Sequence, residues 1–334
     1  MYNIIQKRKI WLSISGILVA ISIVFLAMWG LKLGIDFTGG SLLEVRFNKE
    51  RPTINDVQNS LEGLDLGNLI IQPIDENGMI LRFQNTSEDV HQEILSRLRG
   101  IYKNEEDNQQ TKESKNNNAT TIQENNATTT GSSVTEDSQN NSAPVIELRY
   151  DSVGPSVGAE LKRKSIYAII LVLICIVLYV AWAFRKVSKP VASWKYGVAA
   201  IIALFHDVLI TMGVFSFLGK FYGVEVNTPF VAAILTVLGY SVNDTIVVFD
   251  RIRENLPKSD EDFETTVNIS VNQTIRRSIN TSLTTLLVLL SILFFGGESI
   301  RGFVLALSIG VFVGTYSSIF LASPLLVIWE KIKR

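Results

Sequence analysis

PFVAAILTVLGYSVNDTIVVF, residues 229–249, decides how this chain folds. The run is apolar almost throughout, and its length is what an α-helix needs to cross a hydrocarbon core of about 30 Å. A bilayer offers backbone groups no water, so a run of this kind is expected to be helical. Thr228 before it is a capping residue type, and Pro229 suits the first helical position. Its single charge is Asp244.

Outward from this run the pattern repeats. Residues 10–31, 166–184, 196–218, 279–295 and 303–327 are also long, apolar and nearly free of charge. The chain has 334 residues, 47% of them hydrophobic and 19% charged, an average that conceals this segregation. Together the runs predict a membrane-embedded all-α bundle of six helices. Lys7, Arg8 and Lys9 precede the first run, as in a signal peptide, but no small-x-small cleavage site follows it, so it reads as an uncleaved anchor.

Basic residues give the orientation. They flank the first run, recur at Arg185, Lys186, Lys189 and Lys195, and again at Arg251, Arg253, Lys258, Arg276 and Arg277. They close the chain at Lys331, Lys333 and Arg334. The other short connections hold only Lys220 and Arg301. Positive residues mark the cytoplasmic side, which places 1–9 and 329–334 in the cytoplasm of a multi-pass membrane protein.

Several function classes drop out. The net charge is −1, with no basic surplus for nucleic acid. Cys175 is the only cysteine and the two histidines are far apart, so no metal-site spacing exists. There is no Gly-rich phosphate loop, no GxSxG and no HExxH. No catalytic residue, metal or organic cofactor is expected, and the chain does not read as an enzyme.

Residues 32–164 lie between the first two spans and predict an extracytoplasmic α+β domain. Ser41–Phe47, Leu69–Ile74, Met79–Phe83 and Val145–Tyr150 are strand candidates, the middle two joined by the turn Asp75-Glu76-Asn77-Gly78. Ile54–Leu64 and the segment capped by Ser87 have helical spacing. The order βαββαβ is that of a ferredoxin-like, split βαβ sandwich. Residues 104–142, rich in Asn, Gln, Thr and Ser, read as a disordered insertion; its sequons at Asn118 and Asn126 carry little weight in such low complexity.

Charges inside spans cost roughly 2.5–3.5 kcal/mol each on insertion scales, so they mark function first. Asp244, beside Asn243, lies on the cytoplasmic side of the middle of span four. A half-buried carboxyl near a cation is pushed both ways between its neutral and ionised forms, which suits a proton relay. The alternatives are a fixed buried ion pair or an acid hydrated through a cytoplasmic cleft. Asp207, next to His206 in span three, either shares a proton or cation with Asp244 or makes a capped polar contact with Ser, Thr or Asn of another helix. Arg277, at the entrance of span five and followed by Thr281, Ser282, Thr284 and Thr285, either swings inward to Asp244 or snorkels. Ala306, Gly310, Gly314 and Ser318 form a small-residue seam on span six, which reads as packing.

Gly34-Ile35-Asp36-Phe37-Thr38-Gly39-Gly40, after span one, resembles the motif of the SecD/SecF family of accessory protein-translocase subunits. Asp151 to Pro155, His206-Asp207, Gly239 to Asp244 with Asp250 to Glu254, and Gln273 to Ser278 resemble the SecF branch in particular. The resemblance covers nearly the whole chain apart from the insertion. It implies half of a resistance-nodulation-division type machine completed by SecD, beside the SecY/SecE/SecG channel, with YajC and YidC as further partners of the family. It implies that a proton or sodium gradient helps draw a preprotein across the membrane, with ion coupling at Asp244, Arg277, Asp207 and Asn243. Asp36, Gly39 and Gly40 are the residues of its first motif. The competing expectations are an exporter of small molecules or lipids from the same superfamily, and a translocon scaffold without ion coupling.

Overall fold

The computed structural model describes residues 1–113, 144–183 and 193–331. Arg185, Lys186, Lys189, Lys333, Arg334 and the insertion beyond residue 113, with both sequons, lie outside them. The chain forms two compact units: Met1–Phe37 with Glu160–Arg334, and Thr38–Ala159.

The first unit is helical. Its helices are α1 (Arg8–Trp29), the short α2 (Ile35–Thr38, whose last residue belongs to the second unit), α5 (Pro155–Ala183, whose residues up to Ala159 belong to the second unit), α6 (Ser193–Tyr222), α7 (Thr228–Asn255), α8 (Phe263–Phe295), α9 (Glu298–Ser317) and α10 (Ser323–Lys331). A π-helical turn, Ser318–Ala322, joins the last two into one rod. Among the described residues six helical segments are long and apolar enough to span a membrane. The apolar windows of α6, α7 and the α9–α10 rod are 56%, 50% and 61% buried, against 11%, 6% and 11% for α1, α5 and α8. The first three are therefore the interior, and the others turn apolar faces outward.

Helices outrun the apolar stretches. α5 starts at Pro155 rather than at residue 166, with proline at its first position, where the missing N–H costs nothing. α8 starts at Phe263 rather than 279, because Phe263, Val267 and Val271 recur every four residues and bury against the same core. Arg276 and Arg277 thus sit within a helix and not in a connection. The cap of α7 is Asn227, whose Oδ1 accepts from Phe230 N at 3.2 Å; Thr228 is the first helical residue and Pro229 the second, one position later than expected.

Glycines set the interhelical distances. A Cβ on Gly310 of α9 would lie 2.2 Å from Val237 Cγ2 of α7, and one on Gly314 would lie 2.9 Å from Ser241 Cβ. On the other side, a Cβ on Gly213 of α6 would lie 2.4 Å from Ser22 Cβ of α1. Small residues let backbones approach where apolar burial alone cannot drive helices together in lipid.

The second unit is a four-stranded antiparallel sheet, β1 (Gly40–Phe47), β2 (Ile70–Ile74), β3 (Gly78–Phe83) and β4 (Val145–Val153), in the order β2-β3-β1-β4. Alternate residues Leu43, Val45 and Phe47, with Met79, Leu81 and Phe83, face a core completed by α3 (Ile54–Ser60) and α4 (Glu88–Glu113). A capping box between Thr53 and Asp56 starts α3. α4 departs from the expectation for residues 104–142: its helix continues to Glu113. The stretch has no apolar face, but Glu, Gln and Lys propagate a helix already nucleated by the packed turns before them.

Candidate functional site

α7 carries two adjoining faces. Ser241, Thr245 and Val248, at helical positions i, i+4 and i+7, are buried towards the bundle interior. Tyr240, Asn243, Asp244 and Val247 line a cleft of about 280 Å³ whose other wall is α8, with Arg277 and the threonines 281, 284 and 285. The sequence folds this way locally because Asp244 directly precedes the buried Thr245, one step around the helix from it. The acid is therefore drawn inside by its neighbours.

Asp244 is 7% exposed. Its Oδ1 accepts from Ser278 Oγ at 2.6 Å, while its Oδ2 is buried and has no hydrogen-bond partner among the described residues. An unsatisfied buried carboxylate oxygen is expensive, and binding a proton or cation removes the cost. Arg277 shares the cleft but forms no ion pair with Asp244 within 4 Å among the described residues, and its side chain is exposed. The arrangement thus holds one oxygen bonded to α8, one buried without a hydrogen-bond partner among the described residues, and a guanidinium lining the same cleft. Asn243 is exposed on that wall too.

Asp207 is elsewhere. It is fully buried on α6, and its Oδ2 accepts from Ser241 Oγ of α7 at 2.5 Å and from Ser317 Oγ of α9 at 2.8 Å. Its Oδ1 lies 3.0 Å from His206 Nδ1. Asp207 bonds to the residue three before Asp244 and not to Asp244 itself, so the two acids do not share one proton directly. His206 keeps its Nε2 buried without a hydrogen-bond partner among the described residues.

The three residues of the first motif have separate tasks. Asp36 Oδ2 accepts from Thr228 N at 2.7 Å, placing an anion at the amino end of α7, where the helix dipole favours it. The segment that carries it is tied by Gly34 N to Val226 O at 2.8 Å and by Val226 N to Lys32 O at 2.7 Å. Gly39 and Gly40 have φ of 74° and 120° and open β1; a Cβ on Gly39 would lie 2.8 Å from Pro155 Cα.

Sequence reasoning missed Ser278, Ser241 and Ser317, the hydroxyls that hold the two acids. Serine is common in membrane helices, and only its partner distinguishes one from another. The single legible hint was spacing, because Ser278 follows Arg277 and begins the polar half of α8.

A bundle of six membrane-length helices with two buried acids, one of them half-satisfied in a polar cleft, defines an integral membrane protein with an ionisable centre at membrane depth. The family models for the SecD/SecF GG motif and for the C-terminal region of protein export membrane proteins SecD/SecF match residues 24–50 and 132–332. The chain belongs to the SecD/SecF family of protein export membrane proteins. A Protein translocase subunit SecF of Thermobaculum terrenum is 41% identical over 99% of this chain and 94% of the relative. One from Anaerolinea thermophila is 36% identical with the same coverage. Among solved structures, SecDF of Thermus thermophilus, described as a translocon-associated membrane protein, superposes with a TM-score of 0.74 at 31% identity. That match covers 99% of this chain and 39% of the longer SecDF chain.

Proposed function

We propose that this chain is the SecF half of a two-part export machine that converts an ion gradient into forward movement of a secreted preprotein, with Asp244 as the ion-loading group and Arg277 as its countercharge. The observation that carries the reading is the divided state of Asp244, a residue that lines the cleft with Arg277: one oxygen is bonded to Ser278, and the other is buried without a hydrogen-bond partner among the described residues. A proton on Oδ2 neutralises the acid, weakens its attraction to Arg277 and lets α7 and α8 repack. Asp207 is the second acid of the path, connected to α7 through Ser241. The coupling ion is a proton or sodium.

One charge crossing the full membrane potential is worth about 2.3 kcal/mol per 100 mV, enough to bias a two-state element more than tenfold. It is too little to unfold a preprotein in one step, so the gradient works as a ratchet against backsliding.

The exposed polar wall of the cleft supports a membrane partner. Asn243, Arg277, Thr281 and Thr284 are exposed in the isolated chain at a depth where lipid would reject them. The partner is SecD, the other half of a resistance-nodulation-division type fold, acting beside SecY/SecE/SecG with YajC and YidC. Both termini lie in the cytoplasm, and the second unit is a ferredoxin-like domain on the outer face.

The test is Asp244→Asn in membrane vesicles containing the partner subunits. Gradient-dependent secretion is expected to disappear while the complex still assembles; secretion that keeps its response to the gradient refutes the coupling role. Under the alternative of an uncoupled scaffold, neutral residues at 244 and 277 are both tolerated. An exporter of small molecules or lipids would retain preprotein secretion in the same variant.

A further inference from the structure

We propose that Ser317 and Ser318, at the junction of α9 with the π-helical turn, are positioning residues for Asp244 that reach two different helices. The inference rests on the coupling role assigned above to Asp244 and adds to it the device that sets the rotation of α7.

Consecutive residues of an α-helix point about 100° apart, so one helix can aim two neighbours at separate partner helices. Here it does. Ser317 Oγ donates to Asp207 Oδ2 of α6 at 2.8 Å, and Ser318 Oγ lies 2.8 Å from Thr245 Oγ1 of α7. Ser318 Oγ also reaches Ser241 O of α7 at 3.4 Å, and both serines are fully buried. The widened turn Ser318–Ala322 begins at this pair. Its altered backbone bonding is partly made good by Ser323 Oγ, which donates to Ser318 O at 3.3 Å. π-turns inserted in long helices recur at functional positions because they redirect side chains locally.

Both serines act on the face of α7 that adjoins the acid. Ser241 and Thr245 are bonded into the seam, and Asp244 lies between them in sequence and on the neighbouring face. Fixing the first face fixes where the second points. Ser317 reaches it through Asp207, which also grips Ser241, and Ser318 reaches it through Thr245. Together they close a ring through α6, α7 and α9 that aims Asp244 at Ser278 of α8. Glycine packing at Gly310 and Gly314 sets the spacing of α7 and α9, and the hydroxyl ring sets their register.

The experiment uses the full chain with its partner subunits in vesicles, with Cys175→Ala removing the only native thiol and Val247→Cys placing a reporter in the cleft. Ser317→Ala, Ser318→Ala and the double variant are compared for three readouts. These are gradient-dependent secretion, the pH at which it is half-maximal, and the rate of labelling of the reporter by a maleimide. Loss of hydrogen bonds that involve a charged group corresponds to roughly tenfold in an equilibrium. The double variant is therefore expected to insert normally, lose gradient-dependent secretion by about that factor, shift the half-maximal pH and change the labelling rate several-fold. Unchanged labelling and an unchanged pH profile in the double variant overturn the proposal. If the double variant does not accumulate, the single variants are read by the same criteria. Should Asp244→Asn prove harmless, the coupling reading fails, yet labelling still decides whether the serines orient α7. Should Asp244→Asn abolish coupling while the serine variants behave like the parent, the positioning role alone is lost.

Discussion

At the scale of single residues, the glycines divide by what surrounds them. Gly39 has a left-handed φ of 74° and the backbone of Pro155 against it, whereas Gly100, in the interior of α4, has nothing within 4 Å of a built Cβ. The same substitution should therefore have opposite signs in one small domain. Gly39→Ala is expected to destabilise the domain by about 1–3 kcal/mol. Gly100→Ala should stabilise it by about 0.5–1 kcal/mol, since alanine loses less freedom on entering a helix. Denaturant unfolding of the two purified variants checks this, and a shared sign would refute the assignment of strain to Gly39. The acids divide similarly. Asp244 and Asp207 were both visible in the sequence as charges in apolar runs, but their difference was not. Asp207 has hydrogen-bond partners for both oxygens, and Asp244 has one oxygen without a partner among the described residues. That distinction depends on which serine of which helix comes within 3 Å, and serine carries no sequence signal of its own partner.

Between elements, α7 and α9 meet through a seam of small residues that leaves no room for even one methyl group. Gly310→Ala puts a Cβ into Val237, and overpacking of this kind costs about 1–3 kcal/mol. The companion change Val237→Ala reopens the space. In a double-mutant cycle followed by thermal unfolding in detergent, the pair is expected to be more stable than the sum of the singles implies, with a coupling of about 1 kcal/mol or more. Strict additivity would mean that the two helices part freely at this level. The seam was legible from the spacing of Ala306, Gly310, Gly314 and Ser318, although its partner helix was not. The amino-terminal extension of α8 shows the opposite case. Its apolar residues Phe263, Val267 and Val271 were in plain view, but the polar residues among them hid a helix that only the packing against the α6–α7–α10 core makes worthwhile.

Across the whole helical unit, the two chain ends converge on the start of α8. Glu264 pairs with both Arg8 and Lys331, and Asn268 and Asn272 bind the backbone of Tyr2, Ile4 and Ile5. Ile4 and Ile5 are buried in the main core. Glu264→Gln removes the charge from two partly exposed pairs, each worth about 0–1 kcal/mol. A small fall in the melting temperature is expected at low salt and a smaller one at high salt, where screening has already weakened the pairs. An equal fall at both salt concentrations would show that packing, not charge, holds the ends together.

By itself the chain's order of residues determined the membrane class, the number of spans, the strand and helix order of the small domain and the positions of the intramembrane charges. Each of these follows from local periodicity or from the free energy of moving one group out of water. Only the tertiary structure decided which acid is satisfied and which is left open, which helices form the interior and where the helices end. It also decided that two neighbouring serines, Ser317 and Ser318, bond to two different helices. These depend on partners distant in sequence, and a hydroxyl or a glycine acquires its meaning from the atom placed against it.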